Sequence, residues 1–195
     1  MKSAPALALS LFLSLLLLLG GCSAPPAPPA TPTTSTSAST GPSLPGATAT
    51  DSGWIQLVIP MDDQAEELLD LTKDRAHART SESDLATWAT GLAKEHRAEL
   101  ARLRPLLHRM GLPDTNVHQG HDMPGMVTES DLDRGRRLTG AAFDRFVLQE
   151  LRDHLSHSQR VSRSAARSAG SNEVRRLAAR IADTRADQLR ALPSR

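Results

Sequence analysis

Residues 85–103, LATWATGLAKEHRAELARL, decide the fold because residues 174–192, VRRLAARIADTRADQLRAL, repeat their pattern without a gap. In both stretches apolar or small side chains recur every three or four positions, which is the spacing of one face of an α-helix. The apolar positions that coincide are Leu85, Ala89, Leu92 and Leu103 with Val174, Ala178, Ile181 and Leu192. Two equivalent amphipathic helices in one chain indicate an internally repeated helical domain.

Each of these helices follows another one, so the sequence predicts two αα-hairpins, the repeats at about residues 51–110 and 141–192. A hairpin cannot bury its apolar face alone, so the two are expected to pack together as a four-helix bundle. The connection, residues 111–127, is long for antiparallel neighbours and suits a crossover. We therefore predict an all-α fold, a ferritin-like four-helix bundle built from two repeated αα-hairpins with a long connection.

Proline, glycine and capping residues mark the predicted helix limits. The first helix covers about residues 53–78, where Pro60 either kinks it or marks a later start, because proline has no backbone N–H. Ser81 is a predicted cap of the second helix. Thr128 is expected to begin a short additional helix, and Gly170 to close the third long helix.

The first residues have the pattern of an export signal. Lys2 precedes a continuous apolar run, and small residues precede Cys22 in the order Leu-Gly-Gly-Cys. This order resembles the lipobox of bacterial lipoproteins, in which the cysteine carries the lipid. The alternative, a membrane-spanning helix, requires about 20 apolar residues, more than this run offers. We predict a lipoprotein signal peptide over residues 1–21 and a lipidated Cys22.

A charge-free stretch rich in proline, serine, threonine and alanine follows the cysteine. Such a composition does not bury enough apolar surface to fold, and its prolines keep the chain extended. We predict that residues 22–50 comprise the lipidated cysteine and a disordered stalk. The domain, residues 51–195, would then be held by the lipid anchor at the extracytoplasmic face of the cell membrane.

Composition excludes several classes of function. The chain has 23 Lys or Arg against 22 Asp or Glu, and it contains no Tyr and 3 Phe. Near-neutral charge with so few aromatic side chains disfavours a nucleic-acid partner. Cys22 is the only cysteine, so no internal disulfide can form. No nucleophile elbow, phosphate loop or His-Glu-x-x-His motif is present, so we predict no enzymatic activity.

Polar side chains interrupt the apolar stripes near the middle of the helices. They are Asp62, His96, Glu99, His154 and His157, together with Arg185 and Gln188. Carboxylate and imidazole groups that project into a bundle core form di-metal sites in ferritin-like proteins. However, Arg185 occupies the repeat position of His96, and its guanidinium can replace a metal as the cation among carboxylates. The pattern permits either a core metal site or a metal-free ion-pair network.

The connection contains a second candidate site in HQGHDMPGM, residues 118–126. His118, His121, Met123 and Met126 combine imidazole with thioether ligands, a mixture that suits copper and, through methionine, its cuprous state. The alternative is a solvated connection whose histidines bind nothing.

Several stretches resemble the DUF 305 family of secreted or lipoprotein ferritin-like proteins. They are VIPMDDQAEELLDL at residues 58–71, GHDMPGM at 120–126 and TESDLDRGRRLTGAAFDRFVL at 128–148. The resemblance implies a four-helix ferritin-like bundle and a metal function, with copper handling proposed for some members.

The chain departs from the family at the histidine pairs that follow the first and third apolar runs. Met61-Asp62 replaces the first pair, and Leu155 follows His154 in the second. Met61 and Asp62 remain possible ligands, whereas Leu155 does not. Glu99 and His154 match the family pattern, and His157 lies one helical turn from His154.

These observations together predict an extracytoplasmic lipoprotein that binds or buffers a metal ion at the cell envelope, with copper favoured. The alternative is a scaffolding module that presents a surface to an envelope protein while its polar core is structural. Redox chemistry of the ferritin-like kind ranks third, because two complete carboxylate–histidine sets are missing.

Overall fold

The computed structural model describes residues 44–77 and 84–193, and all regular secondary structure in them is helical. The five helices are α1 (Ala49–His77), α2 (Asp84–Arg109), α3 (Glu129–Arg137), α4 (Gly140–Ser168) and α5 (Asn172–Arg190). The prediction of an all-α protein is therefore confirmed for this part of the chain. The signal peptide, Cys22 and the cap predicted at Ser81 lie outside the described residues.

The long helices pack in pairs. α1 packs against α2, α4 packs against α5, and α1 also contacts α4. The short helix α3 lies within the connection and contacts α1 and α4. Helices that are neighbours in sequence are thus neighbours in a bundle. None of the helices in the described ranges has an apolar stretch long enough to cross a bilayer.

The core consists of two apolar clusters. The first includes Trp54, Ile55, Val58, Leu103, Leu106, Val174 and Ile181. The second includes Leu68, Leu69, Leu92, Phe143, Val147 and Leu151. Where each long helix passes from one cluster to the other it carries a fully buried polar residue, namely Asp62, His96, His154 or Arg185. A polar layer therefore separates two apolar halves of the core.

α1 begins at Ala49, earlier than the predicted residue 53, and Asp51 lies in its first turn. Its Oδ2 atom accepts hydrogen bonds from the Thr48 amide at 2.8 Å and the Thr48 hydroxyl at 2.6 Å, as in a capping box. The same carboxylate accepts the amides of Gly170 at 2.8 Å and Ser171 at 2.9 Å. Burial alone would raise the pKa of Asp51, but these hydrogen bonds lower it. Asp51 thus ties the start of α1 to the turn between α4 and α5.

The other predicted helix limits have mixed outcomes. Pro60 lies inside α1, so the interpretation of this proline as a later start was wrong. Thr128 caps α3 as predicted, because its side chain accepts from the Asp131 amide while the Asp131 side chain accepts from the Thr128 amide. α4 ends at Ser168, and Gly170 stands in the turn that Asp51 binds.

Candidate metal centre

Three buried side chains of the polar layer converge on one point. His96 Nε2 lies 3.0 Å from His154 Nε2, and Asp62 Oδ1 lies 3.6 and 3.5 Å from these two nitrogens. A point equidistant from the three atoms is about 2.0 Å from each, which matches the bond lengths of zinc and similar ions to imidazole and carboxylate. Among the described residues, this is the one group of His, Cys, Asp or Glu with metal-ligand spacing.

Main-chain carbonyls fix both imidazole rings. His96 Nδ1 lies 3.1 Å from the Leu92 carbonyl oxygen, one turn back along α2. His154 Nδ1 lies 3.3 Å from the carbonyl oxygen of Gly125, which belongs to the connection. A carbonyl accepts only, so each Nδ1 donates and each neutral ring keeps its lone pair on Nε2. The two lone pairs then face each other, an arrangement that is stable only with a proton or a metal ion between them.

The electrostatics keep His96 neutral. Burial lowers the pKa of His96 to about 3, an effect that the Asp62 carboxylate opposes and Arg185 strengthens. Neutral imidazole is the form that binds metal ions. His96 is therefore in its ligating state throughout the physiological pH range.

Arg185 supplies a cation to the same layer. Its Nη2 atom donates to Asp62 Oδ1 at 2.6 Å and to Glu99 Oε1 at 2.7 Å, and its Nε donates to Ser158 Oγ at 3.0 Å. Gln188 Oε1 accepts a further bond from Nη1 at 3.2 Å. The structure thus contains the contacts of the metal-free ion-pair network that the sequence permitted. Sequence analysis did not single out Ser158, although it lies one turn from His154 on the buried face of α4.

The two carboxyl groups of the polar layer have widely different pKa values. Burial would raise the pKa of Asp62, but Arg185 and the two histidines hold it well below its ordinary range. Burial and the charge on Asp62 raise the pKa of Glu99 to about 9, and Arg185 opposes that shift. At neutral pH one carboxylate therefore balances one guanidinium. Asp62 Oδ2 is buried and has no hydrogen-bond partner among the described residues.

The other predicted core ligands lie outside the three-residue group. Met61, which precedes Asp62 in the sequence, is buried. The Glu99 carboxyl group is paired with the Arg185 guanidinium. His157 is half-buried, and its Nδ1 atom donates to the Asp153 carbonyl at 2.9 Å. Leu155 is buried in the second apolar cluster. The structure therefore brings together Asp62, His96 and His154 from three different helices.

The predicted loop ligands differ in their exposure to solvent. His121 is exposed, His118 and Met123 are half-buried, and Met126 is buried at 5% exposure. His121, Met123 and Met126 line a cleft of about 800 Å³ between the connection, α1 and α4, whereas His118 lies outside its wall. The contact of this connection with the core through Gly125 was not predicted, because the sequence pattern shows side-chain types and not carbonyl directions.

Comparison with known proteins places the chain in a family. The model of the family described as a domain of unknown function, DUF305, matches residues 51–194. The chain therefore belongs to the DUF305 family, and the resemblance noted in its sequence is confirmed.

Two solved structures have similar folds. The crystal structure of a DUF305 fragment from Deinococcus radiodurans has 19% sequence identity and a TM-score of 0.65, covering 76% of this chain and 95% of that one. A DUF305 protein from Streptomyces coelicolor, described as secreted, has 19% identity and a TM-score of 0.62, covering 73% and 89%. At this identity the likeness shows the fold alone. The search of curated proteins found no match.

Proposed function

We propose that the protein is a lipid-anchored, extracytoplasmic protein whose ferritin-like bundle binds a metal ion, with copper favoured, and without enzymatic turnover. The Leu-Gly-Gly-Cys order at Cys22 supports the lipid anchor. The Streptomyces neighbour, described as secreted, supports a location outside the cytoplasm. Contacts of α1 with α2 and of α4 with α5 support the arrangement as two repeated hairpins.

The observation that carries the metal proposal is the orientation of His96 and His154. Each ring uses its Nδ1–H on a main-chain carbonyl, and the two Nε2 atoms face each other 3.0 Å apart beside Asp62. Metal-bound histidines in proteins are usually oriented in this way by a hydrogen bond from the opposite ring nitrogen. The residues present therefore fit a metal ion held by two nitrogens and one oxygen.

Arg185 and Asp62 act on a bound ion with opposite charges. A carboxylate oxygen has two lone-pair directions, so Asp62 Oδ1 is able to accept from Arg185 and also bind a metal. The guanidinium repels a divalent ion twice as strongly as a monovalent one at the same distance. The Asp62 carboxylate attracts a divalent ion in the same proportion, so the preference among ions rests on the ligand atoms. Among divalent ions the nitrogen ligands favour copper.

The loop residues form a second, weaker set in this proposal. His121 and Met123 line the same cleft as the buried Met126, and thioether with imidazole again suits copper. We assign His118, His121, Met123 and Met126 to the collection of copper near the surface. The core group remains the site of retention.

A structural polar layer is the second candidate function, and Arg185 favours it. Its bonds to Asp62, Glu99 and Ser158 already neutralise and satisfy much of the layer. In that case the bundle is a scaffolding module for an envelope protein.

Titration of the protein with cuprous and cupric ions, in competition with a chelator, distinguishes these possibilities. We expect His154→Gln to weaken binding by about tenfold or more. His157→Gln is the matched control, because this histidine lies one turn further along α4 and should leave binding unchanged. A variant with His118, His121, Met123 and Met126 changed to Ala should keep the tight site.

Two results would contradict the core assignment. Wild-type affinity in His154→Gln, combined with loss of binding in the loop variant, would place the ion in the loop. Failure of the wild type to compete with a weak chelator would leave the scaffolding function.

A further inference from the structure

We infer that residues 118–126 form a strap over the buried metal group, and that Gly125 is the latch that controls passage of cations between this group and solvent. The inference rests on the proposed function, because it concerns access to the same site. Its structural part concerns exposure of His154 and is testable without metal.

Gly125 is held directly against α4 beside His154. Its carbonyl oxygen accepts from His154 Nδ1 at 3.3 Å. A Cβ atom built on Gly125 would overlap the His157 Cβ atom, and would lie 3.1 Å from the Asp153 carbonyl oxygen. The residue also has φ of 81°, a conformation that favours glycine. Only glycine therefore fits at this close approach of the strap to the helix.

The strap is anchored more firmly at one end than at the other. After Gly125, Met126 and Val127 are buried at 5% and 1% exposure. Before Gly125, the main-chain hydrogen bonds from Gln119 to Asn116 and from His121 to His118 are local. A segment with exposed local hydrogen bonds opens at lower free energy than a packed helix. We therefore expect the part of the strap before Gly125 to move while its buried end at residues 126–127 stays in place.

A cleft lies on the outer side of the latch. Gly125 lines the cleft of about 800 Å³, so its peptide separates that cleft from the His154 ring. Asp63 and Asp153, the sequence neighbours of two metal-group residues, also line it. Its charged walls are carboxylates from α1, α3, α4 and the strap, and among the described lining residues there is no arginine or lysine.

The charge of this cleft identifies what passes through it. A cleft lined by one sign of charge concentrates counter-ions, so the cleft draws cations toward the latch. Swinging the strap outward breaks the bond between Gly125 and His154 and exposes the Nδ1 edge of the imidazole ring to the cleft. The imidazole of His121 and the thioether of Met123 stand on the same wall and meet the cation first. Copper ions are therefore the class of cargo that this route fits.

Gly125→Ala tests the latch, and Gly120→Ala is its matched control. Both glycines have φ of 81°, so both substitutions impose the same backbone strain, but a Cβ on Gly120 meets nothing within 4 Å. The metal-free readout is acylation of histidines by diethyl pyrocarbonate, located by peptide mass spectrometry. We expect His154 to be labelled about tenfold faster in Gly125→Ala than in the wild type. In Gly120→Ala the rate should equal that of the wild type.

The second readout is the rate at which a chelator removes copper from the loaded protein. We expect Gly125→Ala to raise this rate about tenfold and Gly120→Ala to leave it unchanged. Equal labelling rates of His154 in the wild type and both variants would overturn the latch. Equal labelling rates in Gly125→Ala and Gly120→Ala would overturn it as well. If the wild type binds no copper, the proposed function fails while the labelling contrast still decides the structural inference.

If the Gly125→Ala variant does not fold, hydrogen exchange in the wild type tests the inference independently. The His121 amide donates to the His118 carbonyl within the strap, whereas the His154 amide belongs to α4. Opening of the strap requires the His121 amide to exchange at least about tenfold faster than the His154 amide. Equal exchange rates at the two amides would overturn the inference.

Discussion

Asp62 and Arg185 bind each other through the oxygen atom that faces the two histidines. Asp62 Oδ1 lies 2.6 Å from Arg185 Nη2, 3.6 Å from His96 Nε2 and 3.5 Å from His154 Nε2. A guanidinium on α5 and an ion held by the histidines would therefore draw on the same carboxylate. The charge at position 185 consequently bears on the stability of the metal-free protein and, under the proposed function, on its affinity for a cation.

Removing the guanidinium should make stability depend on copper. In metal-free Arg185→Gln, Asp62 is buried without its counter-charge, which costs about 3–5 kcal/mol of unfolding free energy. Copper would restore the missing positive charge, so thermal unfolding should show a larger copper-induced rise in Tm than in the wild type. Arg190→Gln, on the exposed part of α5, is the control. Equal copper shifts in Arg185→Gln and the wild type would exclude an ion at Asp62.

The buried imidazole of His96 should make the metal-free protein sensitive to mild acid. Its pKa is about 3 in the folded state, against an ordinary value of 6.5. Between these values the unfolded chain binds a proton that the folded chain does not, so the unfolding free energy decreases as the pH falls. From pH 7 to about 4.5, urea titrations should show about 2–3 kcal/mol more loss in the wild type than in His96→Gln. Parallel losses in both proteins would contradict this.

Asp51 should stabilise the protein at neutral pH through its junction of α1 with the α4–α5 turn. Asp51→Asn removes charge-assisted hydrogen bonds and should cost about 2–3 kcal/mol at pH 7. Because the folded pKa is lowered from 3.8, the contribution is complete above that value and disappears as the pH falls through the folded pKa. The unfolding free energies of Asp51→Asn and the wild type should therefore converge as the pH falls further below 3.8. Asp183→Asn, at an exposed site, should show no such convergence.

Two glycine substitutions should change stability in opposite directions. A Cβ on Gly170 would overlap the Gly46 carbonyl oxygen and the Thr48 side chain, so Gly170→Ala should destabilise by about 1–3 kcal/mol. A Cβ on Gly91, within α2, meets nothing within 4 Å. Gly91→Ala should therefore stabilise by about 0.5–1 kcal/mol, because alanine restricts the unfolded chain and favours helix. Destabilisation by Gly91→Ala would show that its surface has another neighbour.

The sequence predicted the helices well because the information is local. The stripe through Leu85, Ala89 and Leu92 requires only a periodicity to be recognised, and the capping pair Thr128–Asp131 lies within one helical turn. Polar residues inside those stripes also indicated the buried layer. Such features depend on neighbouring positions along one helix, which a sequence displays directly.

The contacts that orient the site are of a different kind. The bond between His154 and the Gly125 carbonyl depends on a backbone oxygen from a distant connection, and no side-chain pattern encodes its direction. Asp51 reaches the Gly170 amide in the same way. For Arg185 the sequence left two alternatives. A guanidinium at a core position either competes with a metal ion for the carboxylates or replaces the metal ion as their cation. Its partners became evident only once α1, α2 and α5 were placed together.

The polar layer also determines how far each helix can slide along the bundle axis. A shift of α5 by one turn, about 5.4 Å, would press Arg185 into aliphatic neighbours and leave Asp62 without its counter-charge. Leucine facing leucine tolerates such slippage, because one aliphatic contact replaces another. The polar layer therefore favours one axial alignment of the four helices over the others. The same residues would keep the helices in this alignment whether or not an ion is bound.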